Sequence, residues 1–350
     1  MDYHLGHVFR PPRFVSSALA FIHQHELLLW CLHSLWALAL GIIVMWAGSR
    51  NYAWIRYTVL YIGFLWVASL FVPDLVDPPG GGSRWRGRLR LVVNYFSKNF
   101  YQQLLFFLLP IYWASATGWS INLVFVFVLA TSALLSTFDV VFDRHLSVHR
   151  GLTAVFFAFN LFACINVMLP LLWSISGRLA LPVSAALAVL AFATIRFRLG
   201  ELAKERLREQ VGLAAMALVV VVAIGRPLIP PVPLRVLATE FGQGIDRRTY
   251  QVTRQLDALP AGWSGTVFAV TSIYAPLGLS DRIGHRWYQD DRLIWASPFY
   301  SVQGGRKEGF RLWTSAPADG VQPGSRVRVE VWTEAGQLVG RADLETGTDD

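Results

Sequence analysis

The densest group of side chains able to do chemistry is FDVVFDRHLSVHR at 138–150, which carries Asp139, Asp143, His145 and His149. Asp139 and Asp143 stand four apart, as do His145 and His149, so on one continuous helix each pair shares a face. The helical step of about 100° per residue sets the two pairs roughly 80–160° apart, so a four-ligand metal site needs the helix to break. The HxxxH spacing also lacks the intervening Glu that acts as general base in a metalloprotease. Loop charges at a helix boundary are the ordinary reading. The chemistry this cytoplasmic cluster would otherwise support is a membrane enzyme acting on lipid or cell-wall precursors. Elsewhere there is no Ser/His/Asp or Cys/His grouping and no close carboxylate pair with an acid–base rationale. Catalysis is therefore not the leading expectation, and no cofactor or metal is expected.

Three polar residues stand inside apolar stretches: His33, Asn160 and Asn166. Polar groups inside a membrane are costly and are candidates for function. His33 reads as a proton relay or, more ordinarily, as a hydrogen-bonded packing histidine. Asn160 and Asn166 are six apart and point to different faces of one helix. These residues carry the alternative of a transporter or channel, although the midplane carboxylates usual in pumps are missing. In the C-terminal part, DRIGHRWY at 281–288 is the most distinctive run. Two-residue alternation sets Ile283, His285 and Trp287 on one face and Arg282, Arg286 and Tyr288 on the other. Ile and Trp mark the buried face, so His285 reads as a satisfied core histidine. Arg282, Arg286 and Tyr288 then form a basic-aromatic strip beside Gly284, suited to an anionic or sugar ligand or else an ordinary solvated sheet face.

The elements that hold these residues follow from composition. Of 350 residues 54% are hydrophobic and 15% charged, against about 25% charged in a soluble domain. Residues 1–235 carry 19 Lys+Arg and 9 Asp+Glu, whereas residues 236–350 carry 12 and 14. The basic character belongs to the first part, where Arg residues punctuate apolar runs, which fits loops held at an anionic membrane surface and not a nucleic-acid partner. A spanning helix needs about 20 mostly apolar residues. Seven stretches qualify, at 27–47, 54–72, 101–117, 120–138, 152–173, 179–195 and 211–229, giving a membrane domain over 1–230. With a cytoplasmic N-terminus the inner loops hold fourteen Lys/Arg and the outer ones three, which obeys the positive-inside rule and places the C-terminal part outside the cytoplasm.

The prolines in RPLIPPVP at 226–233 end the last helix and predict a stiff linker over 231–241. Beyond it the period changes to two. Strands are expected near 249–256, 266–274, 282–288, 292–295, 310–314, 326–332 and 337–344, with a hairpin turn at Thr333-Glu334-Ala335-Gly336. About seven short strands over 242–350 argue for an immunoglobulin-like β-sandwich without the inter-sheet disulfide. The only cysteines, Cys31 and Cys164, sit in apolar runs and form no framework.

The segments GLSDRIGHRWYQDDRLIW, GGRKEGFRLWTS and WTEAGQLVGR resemble an uncharacterised bacterial β-domain family found at the C-terminal end of multi-spanning inner-membrane proteins. The resemblance covers roughly 249–344, through Asp281, Arg282, His285, Trp287, Phe310, Arg311, Gly336 and Gly340. It implies a bacterial inner-membrane location with a periplasmic β-domain, and it transfers no catalytic residue. The expected function is a non-enzymatic envelope scaffold or binding protein. Its partners would be the lipid bilayer and, through the β-domain, a periplasmic protein, glycan or lipid.

Overall fold

Long apolar runs leave the backbone to satisfy its own hydrogen bonds, and the chain answers with helices. The computed structural model describes residues 104–137, 150–196 and 206–346 except 261 and 280, with a few positions between 35 and 43. Five helices lie in the long segments: α1 (Leu104–Ser115), α2 (Leu123–Thr137), α3 (Arg150–Trp173), α4 (Gly177–Arg196) and α5 (Arg206–Ile224). The expected spans at 27–47, those few positions apart, and at 54–72 lie outside the described residues.

The expected seven spans are corrected by the helix lengths. Among the described residues one helix, Gly151–Trp173, is long and apolar enough to cross a membrane, while Leu104–Ser115, Leu123–Thr137, Gly177–Ala193 and Gly212–Ile224 are apolar but shorter. The shortening has local causes. Between α1 and α2 the Asn122 side chain accepts a hydrogen bond from the Thr117 N–H (3.1 Å), and 117–122 fold as a turn, so α1 stops at Ser115 and α2 starts at Leu123, inside the expected ends at 117 and 120. The last helix keeps its expected apolar start near 211 but ends at Ile224, where Arg226–Leu228 turns as a 3-10 helix with Pro227 in its first turn, five residues short of the expected end at 229. Where the helices pack, Leu105, Leu108, Tyr112, Leu129, Val167 and Met168 form a common core. Polar groups point inward: Tyr112 donates to Ala163 O (2.9 Å) and Asn166 donates to Tyr112 Oη (3.2 Å).

Nine strands follow: β1 (Arg235–Asp246), β2 (Gln251–Gln255), β3 (Gly265–Tyr274), β4 (Arg282–Gln289), β5 (Arg292–Ala296), β6 (Tyr300–Ser301), β7 (Phe310–Ala318), β8 (Arg326–Thr333) and β9 (Leu338–Glu345). They build two sheets, in the orders β2-β1-β3-β7 and β5-β4-β8-β9, with β6 also paired to β4. All the strands expected from alternation are present. Two strands were missed: the two-residue β6, and β1, which starts inside the segment expected to be a linker. Residues 231–241 are a packed joint instead: Val232 is buried in the helical core and Leu234 in the β core, and the pairing of Arg235 with Tyr274 opens the first sheet.

The two sheets enclose two apolar clusters, one around Trp287, Val267 and Val329 and the other around Ile273, Ile283 and Val331. Between them lies one polar layer. His285 Nδ1 is 2.7 Å from Thr314 Oγ1, His285 Nε2 is 2.8 Å from Thr271 Oγ1, and the Trp287 indole donates to Thr314 Oγ1 (2.8 Å). An indole only donates, which frees the Thr314 hydroxyl proton for His285 Nδ1 and sets the imidazole proton on Nε2. Thr271 then donates to Leu312 O (3.4 Å). Every member is satisfied, as a buried polar layer must be.

The sandwich is seated on the helix ends. Gln337 Nε2 donates to Ile229 O (2.9 Å), Asn122 Nδ2 to Leu338 O (3.3 Å), and Arg341 Nη2 to Gly118 O (2.9 Å) and Trp119 O (3.1 Å). The buried Asp281 carboxylate accepts from the Gly177 N–H at the start of α4 (3.1 Å) and from the Arg282 N–H (3.0 Å). Burial pushes this carboxyl above its usual range, with the two N–H donors working against the shift. The α1–α2 loop, the α3–α4 loop and the end of α5 thus meet one pole of the sandwich.

Candidate functional site

A groove of about 1070 Å³ opens on the sandwich around β7, at the upper end of the roughly 300–1,000 Å³ common for ligand sites. Alternation along β7 sends Leu312, Thr314 and Ala316 into the core. It turns Arg311, Trp313 and Ser315 outward, and these three line the groove. The β1–β2 hairpin supplies one wall through Thr249 and Tyr250. Two contacts tie it down: Arg311 Nη1 donates to Thr249 O (2.8 Å), and the Arg247 guanidinium stands 5.8 Å from the centre of the Trp313 ring. The hairpin loop itself is held by Asp246, which accepts from the Arg248 N–H (2.8 Å) and the Thr249 hydroxyl (3.0 Å). At its end Tyr250 has φ of +53°, a left-handed conformation that is strained for a bulky residue.

Trp295 of β5 and Tyr300 of β6 line the groove from the other sheet, and the turn before β7 contributes Arg306, Lys307 and Glu308. That turn is tight. At Gly309, with φ of +83°, a Cβ would come within 2.9 Å of the Ile273 backbone, so glycine alone fits. Glu308 pairs with Arg311 at 3.6 Å, whereas Arg306 and Lys307 form no ion pair among the described residues. The groove therefore presents aromatic faces beside uncompensated positive charge. Ring faces stack on the C–H face of a sugar or another ring, and guanidinium and ammonium groups bind phosphate, sulfate or carboxylate.

The strip expected on β4 is differently employed. Arg282, Arg286 and Tyr288 do lie opposite Ile283, His285 and Trp287. However, Arg282 pairs with Glu334 (3.1 Å) and donates to Phe299 O (2.9 Å), while Arg178 of α4 approaches the same Glu334 at 3.8 Å. Arg282 thus belongs to the seat on the helices. The Arg286 guanidinium stacks 4.4 Å above the Trp332 ring, and Trp332 in turn donates to Glu330 (2.8 Å). Tyr288 is half-buried between these groups, and burial raises its phenol pKa. The strip's cations already have partners within the protein. His285 is fully enclosed, and burial pushes its pKa down to about 3.

Within the helices Asn166 joins Tyr112, whereas Asn160 is 1% exposed and neither of its amide atoms has a hydrogen-bond partner among the described residues. His33, Asp139, Asp143, His145 and His149 lie outside the described residues. The groove escaped sequence reasoning because its walls come from four separate chain segments. The available signal was the outward phase of β7, where Arg311 and Trp313 alternate with apolar or core-facing residues, and the run Arg306-Lys307 after paired glycines.

Comparison with known proteins gives two matches. Residues 84–262 match the model described as a family of unknown function (DUF5924), and residues 280–345 match the model described as a protein of unknown function (DUF2914). No curated protein matches the chain. The border between the two models falls inside the sandwich: β1 and β2 lie in the first, β4 to β9 in the second, and β3 between them. The groove draws Thr249 and Tyr250 from the first and its remaining lining from the second. With the first model covering just over half of its 350 residues, the chain belongs to the DUF5924 family of unknown function.

Proposed function

We propose that this is a membrane-embedded recognition protein of the bacterial envelope, in which the groove around β7 binds an anionic, sugar-like ligand outside the cytoplasm. The observation that carries the reading is the groove's lining: Tyr250, Trp295, Tyr300 and Trp313 beside Arg306 and Lys307, which form no ion pair among the described residues. An immunoglobulin-like class for the sandwich supports it. With β1, β3 and β7 read as strands A, B and E, and β4, β8 and β9 as C, F and G, the sheet orders become A-B-E and C-F-G. The wholly buried Trp287 then stands on strand C, where such domains keep a core Trp. Domains of this architecture commonly bind through surface loops and edges.

The membrane reading rests on the inverted polarity of the helices. Phe127, Leu213, Val219 and Ile224 are exposed, while Asn160, Asn166, Ser132 and Ser184 are buried. A surface that apolar needs lipid or another protein against it, and the excess of inner-loop Arg favours a bilayer with the sandwich on the outer side.

Isothermal titration of the full chain in neutral detergent with a phosphorylated oligosaccharide tests the proposal. Saturable binding is expected, weakened at least about tenfold in R306A/K307A by the loss of two charge-assisted contacts, and weakened likewise in W313A. Equal affinity in all three proteins would refute it.

A further inference from the structure

We infer that the groove's ligand is a membrane lipid with an anionic, sugar-like headgroup, presented by the leaflet at which the helices end. This rests on the groove being an anion-recognition site and adds the source of the anion. The basic rim and the helix ends are joined by two touching turns. At Gly278, in the turn between β3 and β4, a Cβ would meet Ser174 Oγ of the α3–α4 loop at 2.7 Å. The neighbouring Leu277 packs on Gly305, where a Cβ would meet Leu277 Cδ1 at 2.7 Å. The Gly305 N–H donates to Ala275 O (2.9 Å), which fixes this second turn on the first. Arg306 and Lys307 come next in the chain. Helix end, Leu277 turn and cationic rim are consecutive layers in contact.

The side chains on these layers follow the order of a lipid molecule. Trp119 in the α1–α2 loop is 94% exposed, and Trp173 at the end of α3 is also exposed. Trp collects at the headgroup level, where an amphipathic ring meets both apolar and polar surroundings. Leu277, next to the Gly278 that touches the α3–α4 loop, is 84% exposed, the most of any large apolar side chain among the described residues of the sandwich. An exposed aliphatic side chain beside the helix ends belongs with these Trp rings at the interface, as an anchor against lipid. The headgroup region extends roughly 5–8 Å beyond the hydrocarbon on each side, the height of one turn of chain. Arg306 and Lys307 then stand at the lipid phosphate, and the aromatic lining stands above it, where a sugar or polyol would lie. A ligand arriving from solution would have no use for Leu277.

The test is native mass spectrometry of the full chain in neutral detergent, titrated separately with phosphatidylinositol, phosphatidylcholine and free inositol 1-phosphate. Phosphatidylinositol is expected to bind at least about tenfold more tightly than either comparison. R306A/K307A should bring it down to the level of phosphatidylcholine, and L277S should raise the lipid concentration needed for half-occupancy. Phosphatidylcholine binding equal to phosphatidylinositol would overturn the proposal. Inositol 1-phosphate binding as tight as the lipid, with L277S indistinguishable from the parent, would overturn the lipid source and leave anion recognition standing. If neither inositol probe binds to a protein whose thermal unfolding is intact, both readings fall.

Discussion

His285 is the side chain on which one distinct pH response of the sandwich turns. It is held neutral between Thr271 and Thr314, with its pKa pushed to about 3 by burial, while in an unfolded chain it titrates near 6.5. Below that pH the unfolded state takes up a proton that the folded state refuses. Stability is therefore complete above roughly pH 6.5 and falls by up to about 1.4 kcal/mol per pH unit on the way down to about 3. Denaturant titrations of the full chain, followed on the β-domain signal at pH 7.5 and pH 5, should show a loss of about 2 kcal/mol. H285Q, which cannot take up this proton, should lose clearly less. A variant with an unchanged pH slope would mean that the imidazole is not held neutral.

At the scale of elements, the reach of sequence patterns has a clear boundary. Alternation located β3, β4, β8 and β9, because one face of each packs against the opposing sheet and its period of two survives in the residue order. The same alternation along 281–288 found the inward His285 and the outward Arg282, Arg286 and Tyr288. It missed β1 for a physical reason. Arg235–Asp246 has a mixed burial pattern, since its first half pairs with β3 and its second half leaves with β2 as the hairpin that walls the groove. The site also stayed hidden, because Tyr250, Trp295, Tyr300, Lys307 and Trp313 become neighbours only once two sheets and a bent hairpin are assembled. One element contact makes a sharp prediction. Asp281 holds the first N–H of α4 across a separation of 104 residues, and a charged hydrogen-bond acceptor contributes about 1.5–3 kcal/mol. D281A should speed hydrogen exchange at the Gly177 amide by about tenfold or more without lowering the protection of β4 and β8. Unchanged exchange at Gly177 would show that the seat on the helices does not depend on this carboxylate.

For the whole molecule, the central relation is between an apolar helical part and a sandwich fixed on its ends by Gln337, Asn122, Arg341 and Asp281. The border between the two family models does not coincide with this physical division: the first continues through β1 and β2, and so includes one wall of the groove. The first match thus runs from the helices through the joint and the hairpin, and the strands matched by the second complete the sandwich. In the account proposed here, the helices set the height of the groove above the lipid and the sandwich supplies its chemistry. The claim that the groove is the recognition site is tested most directly by mapping hydrogen exchange across the full chain with and without saturating phosphorylated oligosaccharide. Protection is predicted at 249–250, 300–303 and 306–315, with little change along 282–288. Protection centred on 282–288, or none at 306–315 despite measurable binding, would contradict the account.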